Sequence, residues 1–128
     1  MTKTHKLVDI EFATTQLGGN VALLAKLLHK FCDEFTHTPQ QIKDALAQND
    51  VKSAKLKVHT TKGLSGNIGL TALYECSKVL EQQISQDNID PLQVDAFQNV
   101  MQDTTKHIKT LAEDLQYLEA IEMIKRTP

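Results

Sequence analysis

Residues 91–118 read PLQVDAFQNVMQDTTKHIKTLAEDLQYL, and the spacing of their apolar positions decides the fold class. Positions separated alternately by three and four residues form one continuous stripe: Val94, Phe97, Met101, Thr104, Ile108, Leu111, Leu115 and Leu118. Such a heptad pattern is typical of a helix that packs against other helices. Asp90 and Pro91 suit the N-cap and the first helical position. We therefore predict a last helix of about 30 residues, roughly 45 Å long at 1.5 Å per residue.

Upstream of this helix the chain divides into shorter amphipathic segments, and no stretch has the sustained alternation of a strand. The segments and the residues that cap them cover 9–16, 20–35, 39–48, 51–66 and 70–84. Short loops join them, and helices connected in this way pack most simply antiparallel to one another. We predict an all-α fold, an antiparallel four-helix bundle with a short extra N-terminal helix and a long C-terminal helix.

One domain accounts for the whole chain. A length of 128 residues suits a single hydrophobic core. We expect that core within residues 8–118, with a short tail at 1–7 and a helical overhang at 119–128. We also expect a monomer.

The composition argues against several classes of protein. A net charge of −2 and a pI of about 6.2 do not favour nucleic-acid binding, which usually requires a basic excess. The chain has no run of about 18 apolar residues and no signal-peptide core, so we expect a cytoplasmic protein that does not insert into a membrane. Cys32 and Cys76 lack the spacing of a thiolate metal site, and both are expected to be buried and reduced.

The candidate site lies in residues 51–68. A helical wheel with steps of about 100° per residue separates two faces. The face predicted to be buried carries Val51, Ala54, Val58, Thr61, Ser65 and Ile68. The opposite face carries Lys52, Lys55, His59, Lys62, Gly63 and Gly66. This phase predicts that His59 faces solvent and disfavours the usual alternative, a histidine buried in the core.

Glycines and lysines surround His59 on its face. Gly63 lies one turn beyond His59, where the absence of a side chain would let a partner approach the imidazole. Gly66 would serve the same purpose, and the alternative is that both glycines mark the fraying end of the helix. Lys62, Lys55 and Lys52 form a basic strip that would favour a neutral imidazole and stabilise negative charge on a group bound to it, although such a strip is by default only a solvated surface.

The other histidines and the cysteines suggest no metal site. His29 and Cys32 are three residues apart, but the helical phase carries His37 away from them. His5 and His107 are expected to be surface residues.

The residues that follow His59 repeat a known pattern. After His59-x-x-Lys62-Gly63 come small and apolar positions at Ser65, Gly66, Gly69, Leu73 and Leu80, the last followed by Glu81. This pattern resembles the histidine-containing phosphotransfer (HPt) domains of bacterial multistep phosphorelays. The segment 17–20 is similar to the opening of that family, so the resemblance covers about residues 8–84. Val58 and Thr61 replace residues that are more often alanine and apolar in the family, and both are predicted to point inward.

The resemblance implies a four-helix core and a phosphorelay function. His59 would accept a phosphoryl group from a phosphoaspartyl receiver domain and transfer it to another, with Lys62, Gly63, Gly66, Lys55 and Lys52 stabilising the phosphoryl group or docking the receiver. The implied partners are receiver domains of a hybrid histidine kinase and of a response regulator. The chain would bind no cofactor, with Mg²⁺ on the receiver, and it would have no ATP-dependent kinase activity because it lacks the glycine-rich nucleotide motifs. It would be a separate protein or the C-terminal module of a hybrid sensor kinase.

A helical adaptor is the alternative function. In that case the long last helix would pair with another chain, and His59 would have no chemical role.

Overall fold

The computed structural model describes the backbone of residues 6–126 and the side chains of residues 6–111, 113 and 114. The chain forms α1 (Ile10–Gln16), α2 (Val21–Phe35), α3 (Thr38–Ala47), α4 (Val51–Asn67), α5 (Thr71–Ser85) and α6 (Pro91–Arg126). The described residues contain no strand, and the predicted all-α class is confirmed. Residues 1–5 and the side chains of Leu115 and Leu118, about which the sequence made predictions, lie outside the described residues.

Capping residues begin the helices where the sequence predicted them. The side chains of Asp9, Asn20 and Asp50 each accept a hydrogen bond from a backbone N–H in the first turn of the helix that follows. The carboxylate of Asp90 accepts one from the N–H of Leu92, at 2.9 Å. The last helix begins at Pro91 as predicted and has 36 residues, somewhat more than expected.

Helices α2 and α3 form one broken rod along α6. The backbone remains in the right-handed helical region at Thr36 and His37, between the two helices. Cys32 of α2 contacts Thr105, whereas Lys43 of α3 forms an ion pair with Asp95. The later residue of the rod thus contacts the earlier residue of α6, so the rod and α6 run antiparallel.

Helices α4 and α5 are also antiparallel, and their register positions the site. His59 of α4 contacts Glu81 of α5. Gly66, seven residues after His59, lies against Tyr74, seven residues before Glu81. The turn between them contains Gly69, whose φ of +77° favours glycine. An added Cβ at Gly69 would lie 2.7 Å from the carbonyl oxygen of Asp9, so glycine here also lets the N-terminal segment pack on the turn.

The bundle closes around one core. α3 contacts α4, α4 contacts α5, α5 contacts α6, and α6 contacts α2 and α3. Its largest fully buried side chains include Phe31, Phe97, Leu24, Leu28, Ile42, Leu73, Leu80, Met101 and Ile108. Among the described helices, including the long α6, none has an apolar segment that would span a membrane.

Two predictions of burial are wrong. Val51 is 42% exposed because it is the first residue of α4, at the end of the bundle. Cys76 is only half-buried, at the edge of the contact between α5 and α6, where the amide of Gln93 lies 3.4 Å from its sulfur. Cys32 is buried as predicted, and both cysteines are unpaired thiols.

Candidate functional site

Buried residues on α4 orient His59 toward solvent. Ala54, Val58, Thr61 and Ser65 are all fully buried, which fixes the rotation of the helix about its axis. The two buried hydroxyls need no partner outside α4, because Thr61 donates to the carbonyl of Lys57 at 2.8 Å and Ser65 to that of Lys62 at 3.1 Å. On the opposite face the side chain of His59 is 64% exposed, as the helical phase predicts.

The carboxylate of Glu81 bridges His59 and Lys62. Its Oε2 accepts a hydrogen bond from Nδ1 of His59, and its Oε1 accepts one from Nζ of Lys62, each at 2.6 Å. Glu81 is only 16% exposed, so packing restrains the group that holds the exposed imidazole. Because a carboxylate can only accept, Nδ1 carries a proton, and in the neutral form of the ring the lone pair is therefore on Nε2.

Electrostatics keeps Glu81 ionised. Burial raises the pKa of its carboxyl, but the hydrogen bonds from Lys62 and His59, together with their charges, outweigh burial. The pKa of Glu81 therefore lies below its ordinary value of 4.5. At neutral pH the side chain acts as an anionic acceptor for the imidazole.

The two glycines near His59 have different surroundings. An added Cβ at Gly63 would meet no atom within 4 Å, so this position is open to an approaching partner. At Gly66 an added Cβ would lie 3.1 Å from the ring of Tyr74. Gly66 thus belongs to the contact between α4 and α5, and this close packing explains the glycine better than an open face or a fraying helix end.

The predicted basic strip divides into two parts. Lys62 is 24% exposed and bound to Glu81. Lys52 and Lys55 are exposed, and within the described part of the chain neither has an acidic group in salt-bridge range. On the face of α4 that carries His59, the lysines that are left without a neutralising partner among the described residues are therefore Lys52 and Lys55.

The remaining candidates do not form a second site. Over the described residues, no group of three His, Cys, Asp or Glu side chains is placed to hold a metal ion. Burial raises the pKa of the Cys76 thiol to about 11, which makes it a poor nucleophile at neutral pH. Burial also raises the pKa of Cys32.

The sequence prediction missed the bridging role of Glu81. The residue was noted in the motif but was given no function, because it lies 22 residues from His59 and 19 from Lys62. One signal was present in the sequence. Glu81 directly follows the buried Leu80, so it lies at the edge of the apolar stripe of α5, where a neighbouring helix can reach it.

Comparison with known families identifies a match that covers most of the chain. The family model described as "Hpt domain" matches residues 26–121, well over half of the chain. The match begins inside α2, includes all of α3, α4 and α5, and extends far into α6. Searches of the curated proteins and of the solved structures find no match.

Proposed function

The chain belongs to the Hpt domain family, whose members carry phosphoryl groups in phosphorelays and interact with receiver domains, and we propose that His59 is its phosphoryl acceptor. In this proposal His59 receives the phosphoryl group from one receiver domain in the cytoplasm and passes it to a second. The observation that supports it best is the exposed imidazole whose Nδ1 donates to Glu81 at 2.6 Å. A ring held in this way directs the lone pair of Nε2 toward a docked partner.

The proposed transfer needs no proton acceptor in solution. The lone pair of Nε2 attacks the phosphorus of a phosphoaspartate, the P–N bond forms, and the P–O bond to the aspartyl group breaks with its electron pair leaving on the carboxylate. The proton stays on Nδ1 throughout and remains hydrogen-bonded to the carboxylate of Glu81. In the onward step a carboxylate oxygen of the second receiver's aspartate attacks the phosphorus and a new P–O bond forms. The P–N bond breaks at the same time, its electron pair returns to Nε2, and His59 is left as neutral imidazole.

The lysines and the partner would stabilise the charge of the phosphoryl group. Lys62 lies one turn from His59 and would share its ammonium between Glu81 and the phosphoryl oxygens. Gly63 would admit the partner, and Lys52 and Lys55 would attract its acidic surface. Mg²⁺ is expected on the receiver, and this chain is expected to contribute no cofactor.

Replacement of His59 tests the proposal. The wild-type chain, incubated with a phosphorylated receiver domain, should gain acid-labile and base-stable phosphate, and His59→Gln should gain none while keeping its helical content. His29→Gln is the matched control, because His29 is an exposed histidine on another helix. Label retained by His59→Gln would disprove the assignment.

A further inference from the structure

Leu56 is an exposed leucine one turn before His59. Its side chain is 65% exposed, and of the large apolar residues that the structure describes only Leu92 is more exposed, at 75%. Residues three apart on a helix lie side by side, with Cβ atoms about 5–6 Å from each other. Leu56 therefore belongs to the surface that surrounds the imidazole.

A groove lies beside Leu56, between α4 and the rod of α2 and α3. Its volume is about 270 Å³, and the residues that line it are Glu34, Phe35, Thr38, Gln41, Leu56, Lys57 and Thr60. The carboxylate of Glu34 pairs with Lys30 one turn earlier on α2. Phe35 is 9% exposed and stacks on Phe31 with ring centroids 4.8 Å apart, so the apolar part of the lining is held by the core. The groove has room for a large side chain from another protein.

The other flank of His59 is polar. Toward α5 lie Lys62 and Glu81, whose charges already satisfy each other. A partner gains apolar contact on the α3 side of His59. On the α5 side it meets an ion pair whose two charges already neutralise each other.

The size of a protein interface makes contact with Leu56 necessary. A specific interface buries about 800 Å² on each partner, equivalent to a patch of roughly 16 Å radius. A protein that brings a phosphoaspartate to His59 must therefore cover Leu56. Desolvated apolar residues near the centre of such a patch carry most of the binding energy.

The charge of α4 selects the kind of occupant. Four of its residues are lysine and none is acidic, although the whole chain has a net charge of −2. A phosphoaspartyl site with the carboxylates that bind Mg²⁺ is acidic and complements this face. A second copy of the chain would place the same lysines against each other, so charge disfavours a homodimer here.

We propose that Leu56 and the adjoining groove form the apolar anchor on which a receiver domain docks to reach His59. This inference rests on the proposed function and adds to it the surface that determines how tightly a receiver binds. Lys52 and Lys55 attract the partner, and Leu56 holds it.

The test compares Leu56→Ala with Leu92→Ala in the full chain. Both leucines are exposed residues on helices, where alanine is well tolerated, and Leu92 lies at the start of α6, outside the face of α4. Each protein is phosphorylated with phosphoramidate, a small donor that needs no docking surface, and the labelling rate is recorded. The rate of phosphoryl transfer from each labelled protein to one isolated receiver domain is then measured. The receiver is the one from the source genome that the wild-type chain phosphorylates fastest.

We expect the ratio of transfer rate to labelling rate to fall about tenfold or more in Leu56→Ala, with Leu92→Ala matching the wild type. Equal ratios in the two variants would overturn the inference and leave the proposed function standing. A loss confined to phosphoramidate labelling would overturn it too, because that result would show that Leu56 affects the reactivity of the imidazole and not the binding of a receiver. If the wild-type chain takes no label on His59 or passes none to any receiver, the proposed function itself fails.

Discussion

At the scale of single residues, the site combines an exposed nucleophile with a restrained acceptor. His59 is 64% exposed and Glu81 only 16%, so the imidazole has access to solvent while its orientation is set from the protein side. Lys62 completes the arrangement by holding the second carboxylate oxygen. Each of the three side chains limits the freedom of the other two, and the cost of ordering an exposed ring is thereby reduced before a partner arrives.

Glu81→Gln should separate this orienting effect from a purely structural one. A glutamine amide can accept from Nδ1 or donate to it, so the tautomer with its proton on Nε2 becomes populated. We expect phosphorylation by phosphoramidate to slow about fivefold, as for the loss of an ordinary hydrogen bond of about 1 kcal/mol. Nitrogen NMR of the His59 ring would show the change of tautomer directly. Glu75→Gln on the same helix is the control, and an unchanged tautomer together with an unchanged rate would remove Glu81 from the mechanism.

At the scale of elements, α4 serves two purposes along its length. One side packs through small and hydroxyl-bearing residues, and the other is left open around His59 and Gly63. Glycine within a helix costs about 1 kcal/mol relative to alanine. At Gly66 the missing side chain allows α5 to approach, whereas a side chain at Gly63 would meet no other part of the domain.

Alanine at each glycine should therefore have unequal effects on stability. Gly63→Ala is expected to raise the free energy of unfolding by about 0.5–1 kcal/mol, because the new methyl group meets open space and the helix gains propensity. Gly66→Ala should gain less or lose stability, since the ring of Tyr74 must move by a few tenths of an ångström. Urea unfolding of both variants measures the difference. An equal gain at Gly66 would contradict the close packing of α4 on α5.

At the scale of the whole molecule, a weakly acidic domain presents one basic helix. The net charge of −2 hides this local excess, because the acidic residues lie outside α4. Glu81 is the acidic group that neutralises part of the excess from α5, and its lowered pKa links the site to the stability of the fold.

The pH dependence of unfolding should reveal that link. The pKa of Glu81 is lower in the folded chain than its ordinary value of 4.5. The contribution of Glu81 to the free energy of unfolding is therefore complete above pH 4.5 and is lost as the pH falls through the folded pKa. At pH 5 we expect the free energy of unfolding of the wild type to exceed that of Glu81→Gln by about 1 kcal/mol or less. This difference should shrink as the pH is lowered toward 3. Convergence follows because protonated glutamate resembles glutamine. A constant difference across this range would contradict the ion pair.

Local periodicity was sufficient to predict much of this protein. The apolar stripes predicted the helices, and the phase of residues 51–68 predicted an exposed His59, because both depend on the 3.6-residue repeat of a single helix. The same reasoning failed at Val51, where the end of the bundle leaves a stripe position uncovered. It also could not reveal the contact of Gly66 with Tyr74, which belongs to another helix.

The sequence by itself therefore determined the fold class, the helices and the residue that faces solvent as the candidate nucleophile. Only the tertiary structure decided that Glu81 meets both His59 and Lys62, and that Leu56 borders a groove built from α2 and α3. The register between two helices arises from the packing of all their facing side chains. No short segment of sequence contains that information. Neither the role of Glu81 as the acceptor that orients the imidazole nor the groove beside Leu56 could therefore be predicted without the packing of the helices.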